Sequence, residues 1–181
     1  SSADAPLYFS DISQALTELQ GWPGRTTMRT RAEQAIFDSR LSARERIEFL
    51  RQDGGPITGD GRIALAMALR DNGQRSEAND MARAAWRNDA LTTATEDRAL
   101  AEFSSALTSE DHAARVMGLL WRDQRTAAQR LMPRLNPADR AVANARIAVQ
   151  TRARRGLQAA IDAVPSSRQD DPGLLFDRTE Y

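Results

Sequence analysis

Apolar residues recur along this chain three and four positions apart, and no stretch alternates apolar and polar residues with a period of two. Such spacing is typical of helices that turn one apolar face inward. The three clearest stripes are Ala78, Met81, Ala82, Ala85 and Trp86; Ala113, Val116, Met117 and Leu120; and Ala138, Val142, Ala145 and Val149. The pattern predicts an all-α protein of about nine to eleven helices with no sheet.

Short segments rich in glycine, proline and polar residues separate the predicted helices. These segments are 21–24, 53–61, 71–74, 122–125, 134–139, 154–156 and 164–173. The helices between them would be about 8 to 20 residues long, as globular helices usually are. Much of each apolar stripe is alanine, whose small side chain lets helix axes approach toward about 8 Å. This favours stacked helical hairpins over one large central core.

An internal echo supports stacking. Residues 74–78 (QRSEA) and 124–128 (QRTAA) are near copies, and 155–159 (RGLQA) is a looser third copy. Each follows one predicted helix and opens another, which resembles tetratricopeptide-type repeats, although the period is irregular. We therefore predict an α-superhelix, or solenoid, of degenerate tetratricopeptide-like hairpins. It would cover residues 21–181 and follow an N-terminal segment at 1–20.

Composition excludes several classes of protein. The 181 residues contain no cysteine, which excludes disulfides and thiolate metal sites. All 25 basic side chains are arginine, and 25 acids balance them along the chain, so there is no electrostatic footprint for nucleic acid. No apolar run approaches the roughly 18 to 20 residues that cross a bilayer. The small, polar opening is compatible with a cytoplasmic protein or with a periplasmic chain whose signal peptide was removed.

The single histidine, His112, directly follows Glu110 and Asp111. A histidine beside two carboxylates can mark a metal or acid–base site, but a metal site would need further ligands. Ser109 is a candidate N-cap, and the two acids would lie in the first turn, where the helix dipole favours negative charge. We predict that Ser109 caps a helix running to about Arg122. His112 would be about the third helical residue, with no metal or catalytic role; inter-helix packing is the remaining alternative.

The tryptophans and the other acids have mainly structural interpretations. All three tryptophans could stack on sugar rings in a murein enzyme, but Trp86 and Trp121 lie at or beside apolar stripes, which favours packing. Trp22, in segment 21–24, is the candidate contact for glycan or a partner. Glu45 and Glu48 are expected to form solvated pairs with neighbouring arginines three or four positions away. The arginines concerned are Arg44, Arg46 and Arg51. Asp170 and Asp171, before Pro172, would be turn residues.

Three blocks of sequence carry a resemblance to a known bacterial family. They are 83–87 (RAAWR), 107–121 with its Asp111-His112 pair, and Val-Pro at 164–165 followed by DPGLLFDR at 171–178. Their order and spacing resemble the N-terminal helical domain of soluble lytic murein transglycosylases, in the form common in alphaproteobacteria. Segments 21–36 and 56–74 also resemble it, so the likeness extends from about residue 21 to the end.

The resemblance implies a function. In that family a superhelix of helical hairpins precedes a lysozyme-like domain, where one glutamate protonates the glycosidic oxygen and then acts as base, leaving 1,6-anhydromuramic ends. The family's Glu-Ser pair before an aromatic residue does not occur in these 181 residues. The sequence therefore predicts no catalytic residue, metal or cofactor in this chain, which would be the N-terminal part of a longer periplasmic enzyme.

The expected partners follow from the same resemblance. They are the glycan strands of peptidoglycan, through the parent enzyme, the parent's own C-terminal catalytic domain, and cell-wall proteins. The alternative is a stand-alone helical-repeat scaffold for protein–protein interaction. A complete enzyme finds no support, because the sequence has no glycine-rich phosphate loop, nucleophile elbow or metal constellation. The length of the natural gene product would separate the first two hypotheses.

Overall fold

The computed structural model describes residues 9–18 and 23–181. These residues form eleven α-helices and four short 3-10 turns, with no strand among them, so the all-α prediction is confirmed. The helices are α1 Phe9–Glu18, α2 Arg25–Ala35, α3 Ala43–Arg51, α4 Gly59–Asp71, α5 Arg75–Asn88, α6 Thr93–Phe103, α7 Ser109–Trp121, α8 Arg125–Leu131, α9 Pro137–Gln150, α10 Leu157–Asp162 and α11 Pro172–Glu180. The superhelical arrangement stays a prediction, and the expected boundary at residue 20 lies outside the described residues.

The chain divides into two compact units, with the division between Ala106 and Leu107. In the first unit the hairpin α4–α5 is central, with α2 and α3 packed against α4 and α6 packed against both helices of the hairpin. The predicted stripe of α5 is buried at Ala82 and Ala85, and Trp86 is fully buried. The core of this unit therefore combines buried alanines with large side chains such as Trp86, Phe103 and Leu69.

The second unit is arranged around α9. Helix α7 packs against α8 and α9, and α9 packs in turn against α10 and α11. One core cluster joins residues of α9 and α11 with the intervening loop: Val142, Ala145, Val149, Val164 and Leu174. The stripe predicted for α9 is therefore buried along most of its length.

The sequence echo corresponds to a repeated turn. Gly73 and Asp123 have left-handed backbones, with φ of 86° and 56°, and each precedes a glutamine that opens the next helix. The backbone N–H of Gln74 donates to a carbonyl of the preceding helix at 2.8 Å, and that of Gln124 does so at 2.9 Å. Both turns are thus Schellman-type ends that lead directly into a second helix.

The third copy follows the same geometry only in part. Arg152 is left-handed, with φ of 48°, and Ala153 donates its backbone N–H to the carbonyl of Ala148 at 3.0 Å. The next helix begins later, at Leu157, after a second left-handed residue, Gly156. The echo therefore predicts two turns well and the third incompletely.

Sequence reasoning missed three breaks, at residues 39–42, 89–92 and 104–108. Each ends in a hydroxyl residue whose side chain accepts the backbone N–H three positions on: Ser42, Thr92 and Thr108. In two of them an acid at that third position bonds back to complete a capping box. A hydroxyl residue followed three positions later by an acid is therefore the sequence signal that could have predicted two of these breaks.

Candidate functional site

The surroundings of His112 are structural. Thr108 is the N-cap of α7, its hydroxyl accepts the backbone N–H of Asp111 at 3.3 Å, and the Asp111 carboxylate accepts the backbone N–H of Thr108 at 2.8 Å. His112 is buried against this first turn. Burial lowers the pKa of His112, the charge of Arg134 lowers it further, and Asp111 partly opposes both effects. The imidazole is therefore neutral at pH 7.

The predicted N-cap of α7 is wrong by one residue. Ser109 is the first helical residue, and Thr108 occupies the cap position with an extended backbone and a bonded side chain. Consequently His112 is the fourth helical residue and not the third. The predicted end near Arg122 is confirmed, because the helix runs to Trp121 and Arg122 is its C-cap.

The predictions for the three tryptophans have different outcomes. Trp22, the candidate glycan or partner contact, lies outside the described residues. Trp86 is fully buried, which confirms its packing role. Trp121 is 50% exposed, so its packing is only partial and involves Phe176 and Arg146. Its α7 position is at the C-terminal end of the helix, beyond the buried stripe.

Trp121 belongs to an exposed aromatic patch on the second unit. We define this patch as Trp121 together with three residues of the C-terminal segment: Leu175, Phe176 and Tyr181. The rings of Trp121 and Phe176 lie 4.9 Å apart between centroids and are tilted by 47°. Of five large apolar side chains that are strongly exposed in the described part of the chain, four belong to the patch.

A fully buried ion pair supports the patch from beneath. Arg146 of α9 donates from Nε to the carboxylate of Asp177 on α11 at 2.6 Å, and both side chains are almost completely buried. The Arg146 guanidinium carbon also lies 4.8 Å from the ring centroid of Trp121, within cation–π range. Gln150 donates to the same carboxylate at 3.1 Å. The pair thus fixes α11 and the indole ring relative to α9.

Close packing at Gly173 completes this support. A Cβ on Gly173 would collide with the guanidinium of Arg146, so only glycine lets α11 seat on α9 at this point. Asp171 caps α11 by accepting the backbone N–H groups of Gly173 and Leu174 at 3.0 and 3.1 Å. The expectation that Asp171 precedes Pro172 as a turn residue is thereby confirmed in the form of a helix cap.

The far end of the patch carries polar groups. The Tyr181 hydroxyl donates to the carboxylate of Asp123 at 2.8 Å, and Arg125 pairs with the same carboxylate at 3.0 Å. The hydrogen bond to Asp123 raises the pKa of the Tyr181 phenol. The patch therefore combines aromatic rings with an exposed carboxylate, a guanidinium and a phenol.

Buried acids of the first unit act as acceptors within the fold. Glu33 is fully buried and accepts from Arg29 Nε at 3.0 Å, from the Ile57 and Thr58 backbone amides at 2.9 Å, and from the Thr58 hydroxyl at 2.6 Å. Thr58 is the N-cap of α4. One carboxylate of α2 therefore fixes the start of α4.

Asp60 repeats this arrangement one hairpin further along. Its carboxylate accepts the backbone N–H of Thr92, the N-cap of α6, at 3.0 Å, and the Thr92 hydroxyl at 3.3 Å. Gln34 donates to the same carboxylate at 3.3 Å. Asp60 of α4 thus fixes the start of α6.

The expected pairing of the acids in α3 is wrong for Glu45. This carboxylate accepts from the backbone N–H and the hydroxyl of Ser42 at 2.8 and 2.6 Å, as part of the capping box of α3. Arg46 instead donates to the Ser39 carbonyl at 3.1 Å. Arg51 pairs with Glu77 of α5. Local spacing suggested ion pairs within α3, whereas Glu45 caps its own helix and only Arg51 reaches another helix.

In a cleft beside α1, the acidic side chains are held by structural contacts. It is lined by Phe9, Ser10, Ala35, Asp38, Ser39, Arg40, Leu41 and Glu45. Asp38 pairs with Arg98 at 3.1 Å, and Glu45 is held in its capping box. In the part of the chain that the structure describes, no three histidine, aspartate or glutamate side chains converge as a metal site.

Comparison with known proteins adds no relative. No protein-family model matches the chain, and neither a curated protein nor a solved structure matches it. Among residues 9–18 and 23–181, every helix is too short or too polar to span a bilayer.

Proposed function

We propose that this chain is a non-catalytic helical domain of a periplasmic lytic transglycosylase, an enzyme that cleaves peptidoglycan glycan strands to 1,6-anhydromuramic ends. Its role is to position the glycan strand, or a cell-wall protein, for a separate catalytic domain of the same polypeptide. The proposal rests on the ordered sequence blocks at 83–87, 107–121 and 164–178.

One structural observation carries the non-catalytic part of the proposal. The residues that give these blocks their character are packing and capping residues. Trp86 and Arg115 are almost completely buried, Asp111 completes the capping box of α7, and Asp177 binds the buried Arg146. Such residues preserve a fold, and a family resemblance carried by them supports a domain that acts by its shape and its surface.

The carboxylates of the described residues support the same role. A general acid must hold a proton within reach of the leaving-group oxygen in a substrate cleft. The buried carboxylates of Glu33, Asp60, Asp111 and Asp177 instead accept hydrogen bonds from backbone amides, hydroxyls or guanidinium groups inside the protein. They stabilise helix starts and helix contacts.

Digestion of purified murein sacculi tests the proposal. This chain and the complete natural gene product are incubated separately with sacculi, and 1,6-anhydromuropeptides are sought by mass spectrometry. We expect anhydro products from the complete protein and none from this chain. Replacing His112 with alanine in the complete protein should leave cleavage close to unchanged, because the imidazole lies in a helix first turn.

Three outcomes contradict the proposal. Anhydro products formed by residues 1–181 alone would assign catalysis to this chain. An intact, folded complete protein that forms none would instead favour the second hypothesis, a helical-repeat scaffold for protein–protein interaction. A natural gene product that ends near Tyr181 would also favour the scaffold.

A further inference from the structure

Asn72 and Gly73 lie in the exposed turn between α4 and α5, and they form the only Asn-Gly pair in the sequence. Gly73 has a left-handed backbone, with φ of 86°, and a Cβ added there would meet nothing within 4 Å. The surroundings of this glycine are therefore open. Because glycine has no Cβ, its backbone nitrogen can approach the side-chain carbonyl of the preceding asparagine without a steric barrier.

Hydrogen bonds within the turn hold both residues. The Asn72 side-chain amide donates from Nδ2 to Oε1 of Gln74 at 3.0 Å. The backbone N–H of Gly73 donates to the Arg70 carbonyl at 2.9 Å. Attack by the Gly73 nitrogen requires this N–H to leave its carbonyl, so the turn has to open first. Exposed turns at helix ends open at a much lower free energy than core helices do.

The rest of the chain offers no equivalent pair. The other asparagines of the sequence are Asn79, Asn88, Asn136 and Asn144. Two of them lie inside α5 and α9, and a third precedes Pro137, whose nitrogen carries no proton. Asn88 ends α5 and is exposed, as Asn72 is, but Asp89 follows it. Asn88 is therefore a matched internal control for the effect of the glycine.

We propose that Asn72 is a site of spontaneous covalent modification, through a succinimide formed with Gly73. The backbone nitrogen of Gly73 loses its proton and attacks Cγ of Asn72, a new N–Cγ bond forms, and the side-chain amide leaves as ammonia. Water then opens the ring at either carbonyl, which yields aspartate or isoaspartate at position 72. The reaction needs no oxidant or cofactor, and the inference is independent of the proposed function.

Either product alters the end of α4. Aspartate adds a negative charge beside Asp71 at a helix C-terminus, where the helix dipole disfavours it. Isoaspartate also adds one carbon to the main chain of a turn in which the Gln74 N–H donates to the Leu69 carbonyl at 2.8 Å. We therefore expect the modification to weaken the α4–α5 hairpin, which is central to the first unit.

Prolonged incubation of the purified chain, followed by tryptic peptide mapping and mass spectrometry, tests the site. Cleavage after Arg70, Arg75 and Arg87 places Asn72 and Asn88 in different peptides. We expect the Asn72 peptide to show the mass gain of an amide-to-acid change and to contain isoaspartate, whereas the Asn88 peptide stays unchanged. The rate should rise with pH, because the Gly73 nitrogen reacts after losing its proton. It should rise further in urea, where the bond to the Arg70 carbonyl is absent.

Two variants separate the reaction from its effect on the turn. Gly73→Asp is matched to the second copy of the turn, where Asp123 occupies the same place with a left-handed backbone. It adds a Cβ beside the attacking nitrogen, and aspartate tolerates this backbone. We expect the modification to slow by about tenfold or more, equivalent to a barrier higher by about 1.4 kcal/mol. Asn72→Asp supplies the charge of the product without the longer main chain, so the isoaspartate form should unfold at a lower urea concentration than this variant.

Each outcome decides a part of the inference. Isoaspartate at Asn72 that forms in the folded protein and is slowed in Gly73→Asp supports it. It is overturned if the folded protein stays unmodified while the chain in urea reacts, because the turn would then protect Asn72 completely. It is also overturned if Asn88 reacts as fast as Asn72, or if Gly73→Asp leaves the rate unchanged. Equal unfolding midpoints for the isoaspartate form and Asn72→Asp would retain the site and reject the effect on the hairpin.

Discussion

The carboxylate of Glu33 accepts the backbone N–H of Thr58 at 2.9 Å, so a residue of α2 caps the first turn of α4. Helix N-termini have amide groups without intrahelical acceptors, and a local side chain usually satisfies one of them. Here the Thr58 hydroxyl serves the Gly61 amide at 2.9 Å, and the buried glutamate serves Thr58 itself. Helices α2 and α4, which are separated along the chain by α3, are thereby fixed relative to each other.

Replacing Glu33 with glutamine should destabilise the protein by about 3 kcal/mol. The amide group would face the Thr58 donors, and the buried Arg29 would lose its charged partner, which is costly in a buried pair. The free energy of unfolding measured in urea gives the difference. Glu77→Gln is the control, because its pair with Arg51 is about half exposed and is expected to contribute less than about 1 kcal/mol. Equal losses in both variants would contradict the capping role.

The N-cap of α7 gives a prediction at adjacent positions. Thr108→Ala should cost about 1 kcal/mol of unfolding free energy, because it removes the acceptor for the Asp111 amide and half of the capping box. Ser109→Ala should change stability by less than about 0.5 kcal/mol, since alanine is well suited to the first helical turn. Thermal and urea unfolding of both variants would reveal the order. A larger loss in Ser109→Ala would restore the original sequence assignment.

The buried His112 should make stability depend on pH. Burial and Arg134 lower its pKa in the folded protein below the ordinary value of 6.5, so the unfolded chain binds this proton more readily. Above pH 6.5 the imidazole is neutral in both states, and the unfolding free energy has its full value. As the pH falls through the ordinary pKa toward the lowered one, the unfolded chain takes up the proton first and the unfolding free energy decreases. Unfolding free energies at pH 7.5 and 5.5 should therefore differ less in His112→Gln than in the natural sequence. An identical pH difference in both proteins would show that His112 titrates normally.

Placing a side chain at Gly173 should loosen the second unit. The Cβ of Gly173→Ala would meet the guanidinium of the buried Arg146, and overpacking of this kind costs about 1 to 3 kcal/mol. The Arg146–Trp121 contact should change as well, so the indole fluorescence of the folded variant is expected to shift. Gly54 is a useful contrast, because a Cβ there meets nothing within 4 Å and only its left-handed backbone resists substitution. Gly54→Ala should leave the fluorescence unchanged, and a shift in that variant would remove the local explanation.

Much of the fold can be predicted from local pattern, because helical periodicity and turn chemistry are local. The burial of Ala82, Ala85 and Trp86 follows from their spacing, and the twin turns before Gln74 and Gln124 follow from the sequence echo. The cap of α7 was misassigned because Thr108 and Ser109 are adjacent and both suit an N-cap. Only the reciprocal bond to Asp111 decides between them.

The candidate site was harder to predict, because it depends on contacts between distant segments. The exposure of Trp121 is decided by what packs over the end of α7, and no local spacing reports this. Phe176 was not singled out, since its importance arises from meeting Trp121. Likewise Glu33 and Asp60 have no local motif that would reveal their bonds to Thr58 and Thr92. Their partners come near only when the hairpins pack.

Gly61 and Gly173 each restrict the substitutions that this protein can accept. A Cβ at Gly61 would collide with the carboxyl of Glu33, just as one at Gly173 would collide with Arg146. At each place a charged side chain occupies the room that a methyl group would need. A lineage that shortens the charged residue opens a void and leaves polar groups unsatisfied, whereas one that enlarges the glycine first meets a clash. Among descendants of this sequence, each pair should therefore persist or change together, while the exposed arginines around them vary freely.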